Sequence, residues 1–560
     1  MQRISIFFFL LVFMASCQKQ KFEVIIRGGT VYDGSGKEGV VMDVGINADT
    51  LAFIGDLSKA VGKKEIDAKG LAVAPGFINM LSHCEVSLLF DGNSQSDIRQ
   101  GVTLEVLGEG SMGPMNDQMK RDDEEAMKRD PDWQYKIDWT TLGEYLEGLE
   151  KRGVSPNVAS FVSAITVRVH ELGYANRAAS PEELERMKAL VKTAMEEGAM
   201  GVTSALIYAP ANYASTEELV ELSKVASQYG GMYIAHIRSE GNSIFEAIDE
   251  TIRIAREAKL PAEIYHLKFS GKDNWNKIDS VIAMIDHANK EGLKITADMY
   301  TYVAGATGLD AAMPPWLQEG GIKEWIKLMK DPVIRKKALQ EMRTPTNKWE
   351  NLMKLAGDFD RVLLMGFTND SLRKNFTGKT LGQVAKIYGK SPEETAMDLV
   401  ITDGTRVGTA YFLMTEENVK RQIQLPYVSF GSDAESSTAA GNFLKTPTHP
   451  RAYGNFSRLL GKYVRDEKVI SLAEAIRRLT SLPASNLKIE KRGSIQIGYY
   501  ADLAIFDPLK IQDHATFENP HQYSTGMVHV FVNGTQVLEN GEHTNAKPGR
   551  VVRGPGWKGK

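Results

Sequence analysis

The stretch "PGFINMLSHCEVSLL", residues 75–89, reads as a buried β-strand that stops at a polar cluster. Pro75 and Gly76 punctuate its start. Residues 76–81 are apolar on both alternating sets apart from Asn79, the pattern of a parallel strand covered on both faces. At the end of the run come Ser82, His83, Cys84 and Glu85, four side chains with chemistry of their own. A strand that ends in such residues suits a sheet whose strand ends form a site.

Working outward, seven further runs of this kind follow at 102–108, 157–163, 200–206, 231–236, 262–266, 294–300 and 426–432. Helical patterns fill the gaps. In residues 243–258, Ile244, Ala247, Ile248, Thr251, Ile252 and Ala255 share one helical face. Eight strand–helix units predict an α/β protein built on a (β/α)8 TIM-like barrel over about 75–484. The gap at about 305–425 is too long for a loop and predicts an insertion subdomain. Residues 22–74 and 485–550 instead alternate short β runs with Gly and Asp turns. Neither piece has apolar residues enough for a core of its own, so one small β-sandwich domain assembled from both termini is expected.

The chain has 560 residues, 42% hydrophobic and 25% charged, with a formal net charge of −4. That balance, without a long basic run, argues against nucleic acid as a partner. Only Cys17 and Cys84 are present, which excludes a disulfide framework and a Cys-rich zinc site. Residues 1–16 combine a basic start, a short apolar run and small residues directly before Cys17, as a bacterial lipoprotein signal does. The expected product is exported to the cell envelope, periplasmic, and tied to the membrane only by lipid on Cys17. An ordinary secretory signal with an incidental cysteine is the alternative.

Barrel active sites lie at the C-terminal ends of the strands. There the fifth run ends in Ala235-His236-Ile237-Arg238, the sixth in Tyr265-His266-Leu267-Lys268, the seventh in Asp298-Met299-Tyr300 and the eighth in Gly431-Ser432-Asp433, while Glu109 follows the second. Of ten histidines, two occupy successive strand ends. Imidazole nitrogen with carboxylate oxygen suits Zn²⁺ and leaves a position open for water.

The stretches "GGTVYDGSG", "APGFIN", "QGVTLEVLGEG", "GVTSALIYAP", "AHIRSEG", "YHLKFSG", "ADMYTYVAGATGL", "FGSDAES" and "THPRAYGNFSRLLGKYVR" occur in this order. With "SLPASNLKIEKRGSIQIGYYADLAIFDP" they resemble the N-acyl-D-amino-acid deacylase branch of the amidohydrolase superfamily from about residue 28 to 508. The resemblance implies a two-domain architecture with an insertion near the barrel mouth. It also implies metal-binding roles for His236 and His266, and a metal-contacting general base and acid in Asp433. Tyr208, one of Tyr300 or Tyr302, and Arg451 match substrate contacts, Arg451 being the grip on the substrate carboxylate; Lys268 is a second candidate for that grip.

Two departures stand out. The first imidazole of the family's His-x-His is Leu81, so a second metal position lacks a ligand. The family's metal-bridging cysteine is also missing, and Glu109 stands one residue earlier. A carboxylate there would serve as a zinc ligand; the other reading of Glu109 is a loop carboxylate paired with Lys or Arg. His83 is read either as facing the mouth or as a hydrogen-bonding wall residue, and Cys84 as buried and inert. One tightly bound Zn²⁺ held by His236, His266 and Glu109 is expected. The expected function is hydrolysis of linear amide C–N bonds in an N-acyl-D-amino acid or a short peptide. The alternatives are a D-residue dipeptidase or another amidohydrolase, and a metal-free binding protein on a decayed enzyme scaffold.

Overall fold

The computed structural model describes residues 20–128, 132–346 and 348–559. Cys17 and the signal-like segment lie outside the described residues. Eight parallel strands form the barrel: Phe77–Ser82, Val102–Leu107, Asn157–Ser160 continued by Val162–Ser163, Gly201–Ala205, Met232–His236, Ala262–Ile264, Ile295–Met299 and Val428–Phe430. Each falls within one of the eight runs read from the sequence, give or take a residue. Every residue in them is buried, as parallel strands covered on both faces require.

The barrel closes just past the end of its eighth strand. Asp433 N–H donates to the Leu81 carbonyl at 2.9 Å, and His83 N–H donates to the Ala434 carbonyl at 3.0 Å. The backbone of two mouth residues is thus part of the seam. Outside the strands, helix Ile244–Ala258 buries the face predicted for it, together with Ile254 and Ala258, and ends on Lys259 in the left-handed region.

The β-sandwich domain of both termini is one nine-stranded sheet over an apolar core that includes Ile26, Val44, Val73, Leu503 and Phe531. Its seam is the antiparallel pairing of Ala72–Pro75 with Leu503–Phe506, which registers Pro75 on Leu503 and Ala72 on Phe506. Lys21–Val31 bends at a bulge after Ile26, pairing its first part with Val61–Asp67 and its last residues with Ala72–Pro75.

The insertion carries its own core around a three-stranded antiparallel sheet of Gly305–Gly308, Gly408–Tyr411 and Val362–Gly366. It is shorter than the gap in the sequence pattern. Helix Glu416–Ile423 puts Val419 and Ile423 into the barrel core, so it is the barrel's own lead-in to the eighth strand. The chain end also departs from a simple two-domain reading. Residues 549–554 run under the barrel floor, where Gly549 N–H donates to the Val154 carbonyl and Gly554 N–H to the Gly198 carbonyl. Among the described residues, no helix is long and apolar enough to cross a membrane.

Candidate active site and metal centre

Glu109 is placed by the turn that ends the second strand. Gly108 lets that turn approach the sixth strand: a β-carbon there would lie 2.0 Å from the Tyr265 hydroxyl. Glu109 itself has φ +62°; its N–H donates to Thr203 Oγ1 and its carbonyl accepts from Ser163 Oγ at 2.6 Å. His266 (φ +34°) and Asp433 (φ +50°) share this left-handed region, which non-glycine residues adopt at a cost and which gathers at functional sites. The His266 N–H is held by Asp298 Oδ1 at 2.8 Å, so the buried Asp298 braces the site from beneath.

This brings three strands together on one oxygen. Glu109 Oε1 lies 3.0 Å from His236 Nδ1 and 2.8 Å from His266 Nε2. The three donor atoms all lie within 4.8 Å of one another. Two imidazoles and a carboxylate are a zinc donor set with a side left open. His236 Nε2 is buried with no hydrogen-bond partner, so the ring is not turned by an alternative contact. The residues fit the ion. Burial would raise the Glu109 carboxyl, but the two imidazoles hold it well below the usual carboxylate range, ionised and ready for a cation.

Asp433 faces this cluster and contacts both His83 and Arg451. His83 Nε2 is 3.0 Å from Asp433 Oδ1, and Arg451 Nη1 is 2.8 Å from Asp433 Oδ2. Burial opposes ionisation of Asp433, and the positive charges of Arg451, His266 and His83 overcome it, holding the carboxyl far below its ordinary value. His83, Glu109 and Asp433 form a second group of donors within 4.8 Å of one another. His83 therefore faces the mouth, although Leu81 is fully buried in the barrel interior. Cys84 is buried, and burial pushes its thiol well above the ordinary value, as expected of an inert cysteine.

A cavity of about 580 Å³ opens over these groups. Tyr208 and Tyr300 line it, and Tyr302 does not. The Tyr300 hydroxyl is buried without a partner, and the Arg451 guanidinium lies 4.5 Å above its ring. Tyr208 stands edge-on to His236 and donates to Thr307 Oγ1 at 3.0 Å. Tyr302 packs edge-on against His449 behind the cavity, with Arg458 over its ring. Of the two tyrosines left open by sequence, Tyr300 is the one in reach of a ligand. Lys268 lines the cavity with its ammonium donating to Glu240 Oε1 at 2.6 Å.

Several lining residues had no distinct signal in the sequence. Thr307 and Arg406 come from the insertion, and Arg406 is held by Asp310 and lies 5.2 Å from the Tyr208 ring. His449 binds the Ala304 carbonyl through Nε2 and accepts the Arg451 N–H on Nδ1, fixing the start of the helix Arg451–Arg458. Glu240 was legible only as an acidic residue four places after His236.

The Amidohydrolase family profile matches residues 64–538. A D-aminoacylase of Alcaligenes xylosoxydans xylosoxydans is 31% identical, over 96% of this chain and 99% of its own length. A solved D-aminoacylase whose binuclear metal centre is described by one-metal activation and second-metal attenuation superposes with a TM-score of 0.77 at 30% identity, covering 95% of this chain and all of that one. The N-acyl-D-glutamate deacylase of Bordetella bronchiseptica, solved with zinc and a phosphonate mimic of the tetrahedral intermediate, superposes at 0.78 with 26% identity and the same coverage.

Proposed function

This chain belongs to the amidohydrolase family, and from that premise we propose that it is a zinc-dependent N-acyl-D-amino-acid deacylase that works with one tightly bound ion. The observation that carries the reading is the meeting of His236, His266 and Glu109 on one oxygen, opposite Asp433, in an open cavity. Zinc at such a site polarises an amide carbonyl and makes water a better nucleophile near neutral pH.

The chain's own residues do the rest. Asp433, ionised and facing the cluster, takes the proton of the attacking water and returns it to the departing amine. Arg451 pairs through Nη1 with Asp433 and has Nε buried without a hydrogen-bond partner beside the cavity, a guanidinium suited to a substrate carboxylate. Lys268 adds a second positive charge near the same wall, where the Tyr300 hydroxyl also has no partner. Holding the carboxylate at one end and the carbonyl at the other turns orientation into rate. The D configuration is supported by relatives that act on N-acyl-D-amino acids.

A D-residue peptidase would use the same groups with an aminoacyl unit in place of a simple acyl group. The lipoprotein reading completes the proposal: small residues before Cys17 support an envelope protein tethered by lipid. Paired kinetics on N-acetyl-D- and N-acetyl-L-amino acids, with Asp433→Ala as the blank, test the function. Turnover of the D series alone is expected. Equal turnover of both series would refute the stereochemistry, and no turnover of either by zinc-loaded protein would favour the peptidase.

A further inference from the structure

Glu240 lies on the far side of both metal-facing imidazoles from Glu109. Its Oε1 is 3.1 Å from His266 Nδ1 and 3.6 Å from His236 Nε2, while the opposite nitrogen of each ring faces Glu109. The two carboxylates thus bracket the pair of rings. A histidine that gives one nitrogen's lone pair to a metal carries its proton on the other, and that proton needs an acceptor. Lys268 Nζ is 2.7 Å from His266 Nδ1, but an ammonium is only a donor, so the acceptor within reach of that proton is Glu240. His236 Nε2 is buried without a hydrogen-bond partner, and Glu240 Oε1 faces it at 3.6 Å, one small ring or side-chain movement from a bond.

Glu240 does not stand alone. Its backbone N–H donates to Glu350 Oε2 at 2.9 Å, and Ser239 Oγ donates to Glu350 Oε1 at 3.0 Å. Its carbonyl accepts from Ser270 N–H at 2.7 Å. Glu350 belongs to the insertion, between helices Pro332–Arg343 and Leu352–Ala356. The approach is close enough that a β-carbon on Gly241 would lie 2.5 Å from Glu350 Oε1.

We propose that Glu240 is a positioning residue that orients both imidazoles for the metal, and that Glu350 of the insertion holds it there. Resting on the zinc reading above, the proposal gives the insertion a task at the metal as well as at the cavity wall. It also assigns Lys268 a structural duty, balancing the charge of Glu240.

The test is zinc affinity by chelator competition on the purified full chain and its Glu240→Ala, Glu240→Gln and Glu350→Ala variants. The melting temperature of the metal-free proteins is measured in parallel. Glu240→Ala should bind zinc about 10- to 100-fold more weakly, the usual effect of losing a partner to a ligating histidine. Glu240→Gln, which keeps an acceptor oxygen, should recover part of that loss. Glu350→Ala should weaken zinc binding in the same direction by a smaller factor, with the ligands and Glu240 chemically intact. Wild-type zinc affinity in Glu240→Ala would overturn the proposal. If that variant fails to fold, unchanged affinity in Glu350→Ala overturns it instead. A wild-type protein that binds no zinc would refute the site reading itself, an outcome these variants cannot mimic.

Discussion

His83 Nε2 sits 3.0 Å from Asp433 Oδ1, a contact made across 350 residues of chain where the first and eighth barrel strands meet. It keeps an imidazole, a carboxylate and Glu109 together although Leu81 stands where the resemblance implies a second histidine. Metal titration of the purified protein should therefore show one tight zinc and, at higher concentration, a weaker second ion. His236→Ala or His266→Ala should remove the tight ion, whereas His83→Ala should spare it and abolish the weak one. Two ions of equal affinity in the wild type would contradict this division.

Arg451 is shared between Asp433 and the cavity, so its loss has two faces. Arg451→Ala should lower kcat/KM by about ten- to a hundredfold, matching the roughly 1.5–3 kcal/mol of a charge-assisted contact. The drop should be smaller for substrates whose carboxylate is converted to an amide, because they never used the contact. An equal loss on both substrates would assign Arg451 to Asp433 alone.

Asp433→Asn preserves shape but removes the proton acceptor. Its kcat should fall about 10²- to 10⁴-fold with zinc still bound. Loss of zinc together with activity would mean that Asp433 is needed to hold the tight ion.

Glu263, on the sixth strand, is buried in the barrel interior among Thr296, Ser429 and Asn486. Burial pushes its carboxyl up to about 7, against the hydrogen bonds that favour the anion. The fold prefers the protonated form, so the unfolded chain releases this proton first as pH rises. The contribution to stability is whole below about pH 4.3 and is lost as pH climbs to about 7. Glu263→Gln mimics the protonated acid and should be more stable than wild type above pH 7, by on the order of 1–3 kcal/mol. The difference should vanish near pH 4. Unfolding curves at pH 4 and pH 8 measure it, and a pH-independent difference would refute the assignment.

Changing Cys17→Ser should move the protein from the membrane fraction to the soluble one in its native host. Unchanged fractionation would leave an ordinary secretory signal as the better reading of residues 1–16.

What the sequence by itself determined is what depends on neighbours along the chain. The runs that became eight strands were legible because burial on both faces leaves an uninterrupted apolar stretch. His236, His266 and Asp433 could be placed at one mouth because strand ends in a parallel barrel share a side. The tertiary structure decided the rest. Glu109 meets two imidazoles rather than a Lys or Arg because a left-handed turn at +62° aims it at rings from the fifth and sixth strands. Tyr300 and Tyr302 are two residues apart in the chain, yet one lines the cavity and the other packs behind His449, a distinction made by residues about 150 positions away. Lys268 and Glu240 pair across 28 residues, and Glu350 reaches the same loop across 110. Such meetings leave no periodicity in the chain, because each is settled by where two separately packed elements come to rest against one another.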